Sequence, residues 1–127
     1  MQKVLLVDDD IEFCEATKLL LESNGYEVIT AHDGKEGLAK VRAEKPDIVI
    51  LDVMMPEMSG YDICVVMKED SDLKGIPVIL LTAVDQALFQ TTYTKVMGLM
   101  TEADDYIPKP VEPEVLVKRV QDLLSNK

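Results

Sequence analysis

The feature that most limits the fold is an alternation running the length of the chain. Short β-like runs take turns with longer segments whose apolar residues recur at helical spacing. Val4-Leu5-Leu6-Val7, Ile48-Val49-Ile50-Leu51 and Val78-Ile79-Leu80-Leu81 are apolar without interruption, the pattern of strands covered on both faces. Glu27 to Ala31 and Asp105-Tyr106-Ile107 are mixed. Pro108 follows the second of these, which suits an edge strand. Between them, helices are predicted from about Ile11 to Asn24, with Phe13, Ala16 and Leu20 in phase and Gly25 as the stop. Others run from Gly34 to Glu44, ended by Pro46, and from Tyr61 to Glu69. The last opens with Pro113 and turns Leu116, Val120, Leu123 and Leu124 inward.

Strands alternating with helices imply a parallel sheet with helices on both faces. Placing the two mixed strands outermost gives a doubly wound five-stranded α/β fold of order 2-1-3-4-5, a flavodoxin-like three-layer sandwich. No linker, repeat or low-complexity stretch divides residues 1–127, which read as one domain. A chain of this length buries about two-thirds of its unfolded surface without a disulfide or structural metal. Cys14 and Cys64 are too far apart in sequence for a zinc pattern and are expected as buried thiols. The net charge of −11, with thirteen scattered basic residues, disfavours a nucleic-acid partner and suits a protein with a complementary patch. Neither a basic-then-apolar leader nor an apolar run of about 18 residues is present, so a cytoplasmic, membrane-free location is expected.

In a doubly wound sheet, function gathers where strands end at their carboxyl side. Strand one ends in Asp8-Asp9-Asp10, strand three in Asp52, strand four in Thr82 and strand five in Lys109. Carboxylates about 5 Å apart repel by roughly 3 kcal/mol at an effective dielectric near 20. One lysine does not offset three of them; a hard divalent cation with oxygen ligands does, which favours Mg²⁺ over zinc. Helix capping alone accounts for one of the aspartates after strand one. It does not account for Asp52 and Lys109 arriving at the same edge.

Val7-Asp8-Asp9, Asp52 through Gly60, Leu81-Thr82-Ala83 and Ala103-Asp104-Asp105-Tyr106-Ile107-Pro108-Lys109-Pro110 together resemble the signature set of response-regulator receiver domains. The resemblance spans the whole chain in the right order. It implies that Asp52 takes a phosphoryl group from the phosphohistidine of a sensor histidine kinase or histidine phosphotransfer protein. It implies Mg²⁺ on Asp8, Asp9, Asp52 and the backbone carbonyl of Met54, with Lys109 pairing a phosphoryl oxygen across a cis Lys109–Pro110 peptide. Thr82 and Tyr106 are then the switch pair, signalling through the fourth-helix, fifth-strand and last-helix face to a downstream protein or output domain. Gly60 is expected to permit a tight turn, and Pro56 to shape the same loop. Met54 sits where this family tunes hydrolysis of the acyl phosphate; methionine there is neither base nor amide, so slow loss is expected. His32, the only histidine, has no second imidazole nearby in sequence, and neither a metal nor a phosphorelay role is expected of it.

Two departures stand out. The stretch between Thr82 and Lys109 is longer than the family's by more than a helical turn, around Gln86 to Tyr93, and Glu102 stands where glycine is common. Three other readings fit the residues less well. A flavin or phosphate cradle would not place three aspartates after strand one. An aspartate-nucleophile phosphatase or dehalogenase would carry a helper aspartate where this chain has Met54. A receiver-like interaction module working without phosphorylation would have no use for Asp8, Asp9, Asp52, Thr82 and Lys109 together.

Overall fold

The computed structural model describes residues 1–83 and 103–125; Gln86 to Tyr93 and Glu102 lie outside the described residues. Five strands, β1 (Lys3–Val7), β2 (Glu27–Ala31), β3 (Ile48–Asp52), β4 (Val78–Ala83) and β5 (Asp105–Lys109), form one sheet. Its order is β2-β1-β3-β4-β5 with every pairing parallel, as expected from the apolar pattern. Helices α1 (Ile11–Ser23), α2 (Gly34–Glu44), α3 (Gly60–Glu69) and α4 (Pro113–Ser125) complete the described elements. None is long and apolar enough to cross a membrane.

Strand alternation divides the interior into two slabs. Leu5 and Val7 of β1, Val49 and Leu51 of β3, and Val78 and Leu80 of β4 pack with Val41 of α2 and Ile63, Cys64 and Met67 of α3. Val4 and Leu6, Ile48 and Ile50, and Ile79 and Leu81 pack on the opposite face with Cys14 and Leu21 of α1 and Leu116, Val117, Val120 and Leu124 of α4. Both cysteines are buried free thiols.

Caps fix where each helix begins. Asp10 accepts from the Phe13 N–H to start α1, and Asp33 accepts from the Glu36 N–H to start α2. Ser59 and Asp62 form a reciprocal capping box at α3. Gly25, at φ +91°, supplies the left-handed residue that stops α1.

The fifth strand runs two residues further than its apolar core suggested, through Pro108 and Lys109. An edge strand tolerates a proline because its outward side needs no donor. Two carboxylates pin its register. Asp104 Oδ2 accepts from the Val78 N–H at 2.8 Å and pairs with Lys68 at 3.3 Å, while Asp105 Oδ2 pairs with Arg119 of α4 at 2.6 Å.

Gly60 does something other than the turn expected of it. Its φ is not left-handed. A Cβ there would lie 2.6 Å from the Asp52 carbonyl oxygen and 3.1 Å from Leu51 Cβ. The absent side chain lets α3 close onto the end of β3. Gly60→Ala should therefore cost about 2 kcal/mol in urea unfolding, because the obstacle is backbone that cannot rotate away. Gly75→Ala, with nothing within 4 Å of its Cβ, should be neutral or stabilising by up to about 1 kcal/mol. Equal effects at the two positions would refute this account.

Candidate phosphoryl-transfer and metal site

The parity that sorts the core also assembles the site. Asp8 continues the Val4, Leu6 series of β1; Asp52 continues Ile48 and Ile50; Lys109 follows Ile107. All three extend the face covered by α1 and α4. Asp8 and Asp52 are buried, at 0% and 2% exposure, while Asp9 is exposed. Carboxylate oxygens of Asp8, Asp9 and Asp52 all lie within 4.8 Å of one another. The Lys109 ammonium stands 3.0 Å from Asp8 Oδ2 and 3.5 Å from Asp52 Oδ1, and lies 5.7 Å from the centre of the Phe13 ring. The Lys109–Pro110 peptide is cis.

The run Asp8-Asp9-Asp10 divides its labour. Asp10 caps α1 and lies outside the acid cluster; Asp8 and Asp9 enter it. Asp8 is held on several sides. Its N–H donates to the Ala31 carbonyl at 3.0 Å, one residue beyond the β1–β2 ladder. Its Oδ1 accepts from the Asp10 N–H at 2.9 Å. Asp8 Oδ2 is buried and, among the described residues, makes no hydrogen bond of good geometry, with the Lys109 ammonium as its ionic partner. An oxygen so placed, beside two further carboxylates, is suited to a hard cation.

Asp52 Oδ1 accepts from the Met54 N–H at 3.1 Å, and the Met54 side chain points to solvent at 50% exposure. The loop beyond it turns tightly: Met58 N–H donates to the Pro56 carbonyl at 2.8 Å, across Glu57 at φ +69°. A non-glycine residue in that region is strained, as often found beside functional sites.

Thr82 is buried at the end of β4, on the parity of Leu80. Tyr106, paired with Leu80, shares that parity and packs half-buried against the slab under α2 and α3. The structure thus brings Asp8, Asp9, Asp52 and Lys109 together and sets Thr82 and Tyr106 on the other side of the sheet. Sequence reasoning missed three neighbours of Asp8 and Lys109: Phe13, Cys14 and His32. Only His32 had a legible signal, since strand order 2-1 sets the end of β2 beside the end of β1.

Charge and burial together hold Asp52 well above a usual carboxylate. Burial pushes its carboxyl up from 3.8 to about 6, with Asp8 adding to the rise; the Met54 N–H and Lys109 oppose it, and Asp9 raises it further. Burial draws the Lys109 ammonium down, but its close contact with Asp8 and the charges of Asp52 and Asp8 more than offset this, leaving it raised. Burial, then Asp8, drives the Cys14 thiol up to about 12, so it stays protonated.

A raised carboxyl destabilises the fold once ionised. The penalty is absent below the ordinary value and complete above about 6, so metal-free protein loses stability across that window as pH rises. Asp52→Asn should stabilise chelator-treated protein by about 3 kcal/mol at about pH 8 and by close to nothing at about pH 4, read by urea unfolding. A gain independent of pH would contradict the assigned cause.

Comparison with known proteins agrees with this geometry. A family profile, that of the response regulator receiver domain, matches residues 4–121. The DNA-binding response regulator MtrA of Mycobacterium tuberculosis is 41% identical over 125 residues, 98% of this chain and 51% of that protein. The alkaline phosphatase synthesis transcriptional regulatory protein PhoP of Bacillus subtilis is 39% identical, over 98% and 49%. The chain thus spans about half the length of these curated relatives. Among solved structures, the signal receiver domain of a signal transduction histidine kinase from Syntrophus aciditrophicus superposes with a TM-score of 0.88 at 37% identity, over 99% of this chain and 92% of that one. The chemotaxis protein CheY4 of Vibrio cholerae gives 0.83 at 35%, over 96% and 98%. With a matching profile over nearly all of its length and relatives of this identity, the chain belongs to the receiver-domain family of two-component response regulators.

Proposed function

We propose that Asp52 is the phosphoacceptor of this receiver domain and that its donor is a phosphohistidine on a sensor histidine kinase or phosphotransfer protein. One observation carries the reading: three carboxylates from two strand ends crowd within 4.8 Å while the Lys109 ammonium sits 3.0 and 3.5 Å from two of them. In the transfer, an Asp52 carboxylate oxygen forms the new P–O bond as the P–N bond to imidazole breaks, and the freed imidazole keeps the electron pair. With its carboxyl near 6, Asp52 is mostly ionised at neutral pH, as a nucleophile must be.

Asp8, Asp9, Asp52 and the backbone carbonyl of Met54 would hold Mg²⁺, which supplies positive charge against the phosphoryl oxygens when bound. Lys109 binds a phosphoryl oxygen as a compact charge. The shared face of Thr82 and Tyr106 supports their reading as a switch pair: the hydroxyl moves toward the new anion and the ring follows. The output is a downstream protein or an attached domain. At −11, this domain itself is unfavourable for nucleic acid. The domain assists only its own phosphorylation and dephosphorylation. The alternative is an interaction module that acts without phosphorylation.

Incubation with acetyl phosphate and Mg²⁺, followed by intact-mass measurement, separates the two. A phosphoryl-sized gain is expected in native protein and lost in Asp52→Asn or with chelator; no gain in the native protein defeats the proposal. The side chain of Met54, exposed and unable to orient water by hydrogen bonding, leaves the acyl phosphate long-lived. Met54→Asn should shorten its lifetime several-fold, and an unchanged decay in the variant would count against this role.

A further inference from the structure

His32 touches the site through a contact that the sequence did not disclose. In a parallel ladder with Val7 opposite Ala31, the Asp8 carbonyl would accept from the main-chain N–H of Asp33. β2 ends at Ala31, and Asp33 turns away to cap α2. The His32 ring takes the vacant place, its Nδ1 lying 3.1 Å from the Asp8 carbonyl oxygen. A carbonyl only accepts, so Nδ1 carries the proton and donates. Cys14 adds a weaker S–H contact to the same oxygen at 3.4 Å.

The histidine is itself fixed. Its main-chain N–H donates to Glu36 Oε1 at 2.8 Å, Glu36 Oε2 pairs with Lys40 at 3.2 Å, and the Lys40 ammonium donates to the Thr30 carbonyl at 2.6 Å. The end of β2 and the first two turns of α2 thus form a braced unit from which the ring reaches the Asp8 peptide. The brace acts on the Asp8 peptide, while the Asp10 N–H on Oδ1 and the Lys109 ammonium beside Oδ2 act on its carboxylate.

We infer that His32 is a positioning residue, supplying the last ladder donor to Asp8 and so aiming the Asp8 carboxylate at the cation. The inference rests on the reading of Asp8 as a Mg²⁺ ligand. Outer hydrogen-bond partners of metal ligands typically contribute about tenfold or more in affinity.

Mg²⁺ titration of the unphosphorylated protein, followed by calorimetry, tests it. His32→Ala and His32→Phe, the second keeping a ring without the donor, should weaken Mg²⁺ binding about tenfold. His32→Asn, whose amide can donate from nearly the same place, should stay within about threefold of native. Leu124→Ala, a core loss on α4 remote from the ring, should lower stability and leave Mg²⁺ affinity unchanged, which separates aim from general loosening. Native affinity in both His32→Ala and His32→Phe overturns the inference, as does His32→Asn binding as weakly as they do. Native protein that binds no Mg²⁺ would instead bring down the metal reading itself.

Discussion

Repulsion among the carboxylates of Asp8, Asp9 and Asp52, offset among the described residues by the Lys109 ammonium, is the constraint around which the rest of the domain is arranged. Left alone, such a cluster would push its strands apart, and burial, followed by the charge of Asp8, raises the Asp52 carboxyl. The scaffold therefore places it where little can yield. β1 and β3 are central strands buried on both faces, and they pair with each other in register from Val4 and Ile48 onward. Like charge is thus held at the ends of two adjacent strands that have little room to move apart.

The same logic explains the small residues around the site. Gly60 brings α3 against the Asp52 carbonyl, and a side chain on Gly34 would strike the Met58 carbonyl and Cβ. Both helices start close to the loop that follows Asp52. Their caps, Ser59 and Asp33, sit at the same rim. The loop itself carries the left-handed Glu57 between Pro56 and Met58. Close helix starts and one strained turn give Asp52 a neighbourhood with few ways to relax.

Much of this was legible from residues alone. Uninterrupted apolar runs at Val4, Ile48 and Val78 dictated central strands, and the mixed runs dictated edges, so strand order followed. Asp8, Asp9, Asp52 and Lys109 could be gathered because strand ends in a parallel sheet share one rim. What stayed hidden depends on approach distances. A glycine before a helix reads as a turn until the Asp52 carbonyl is seen 2.6 Å from its missing Cβ. Phe13 beside Lys109 depends on the pitch of α1 over the sheet, which no local pattern encodes. His32 reads as an isolated ring until the ladder is followed one pair past its end. The two extra strand residues, Pro108 and Lys109, escaped because proline argues against a strand except on an edge.

β5 carries on alternate positions the ammonium that faces the acids and the aromatic ring that faces the other slab. Asp104 and Asp105, through Val78, Lys68 and Arg119, hold that strand to one setting. A slip by one residue would do more than loosen an edge, since each side chain would change sides. The ring would turn toward the carboxylates and the lysine away from them. The two aspartates at the start of the strand therefore act as the lock that keeps its cation and its tyrosine from trading places.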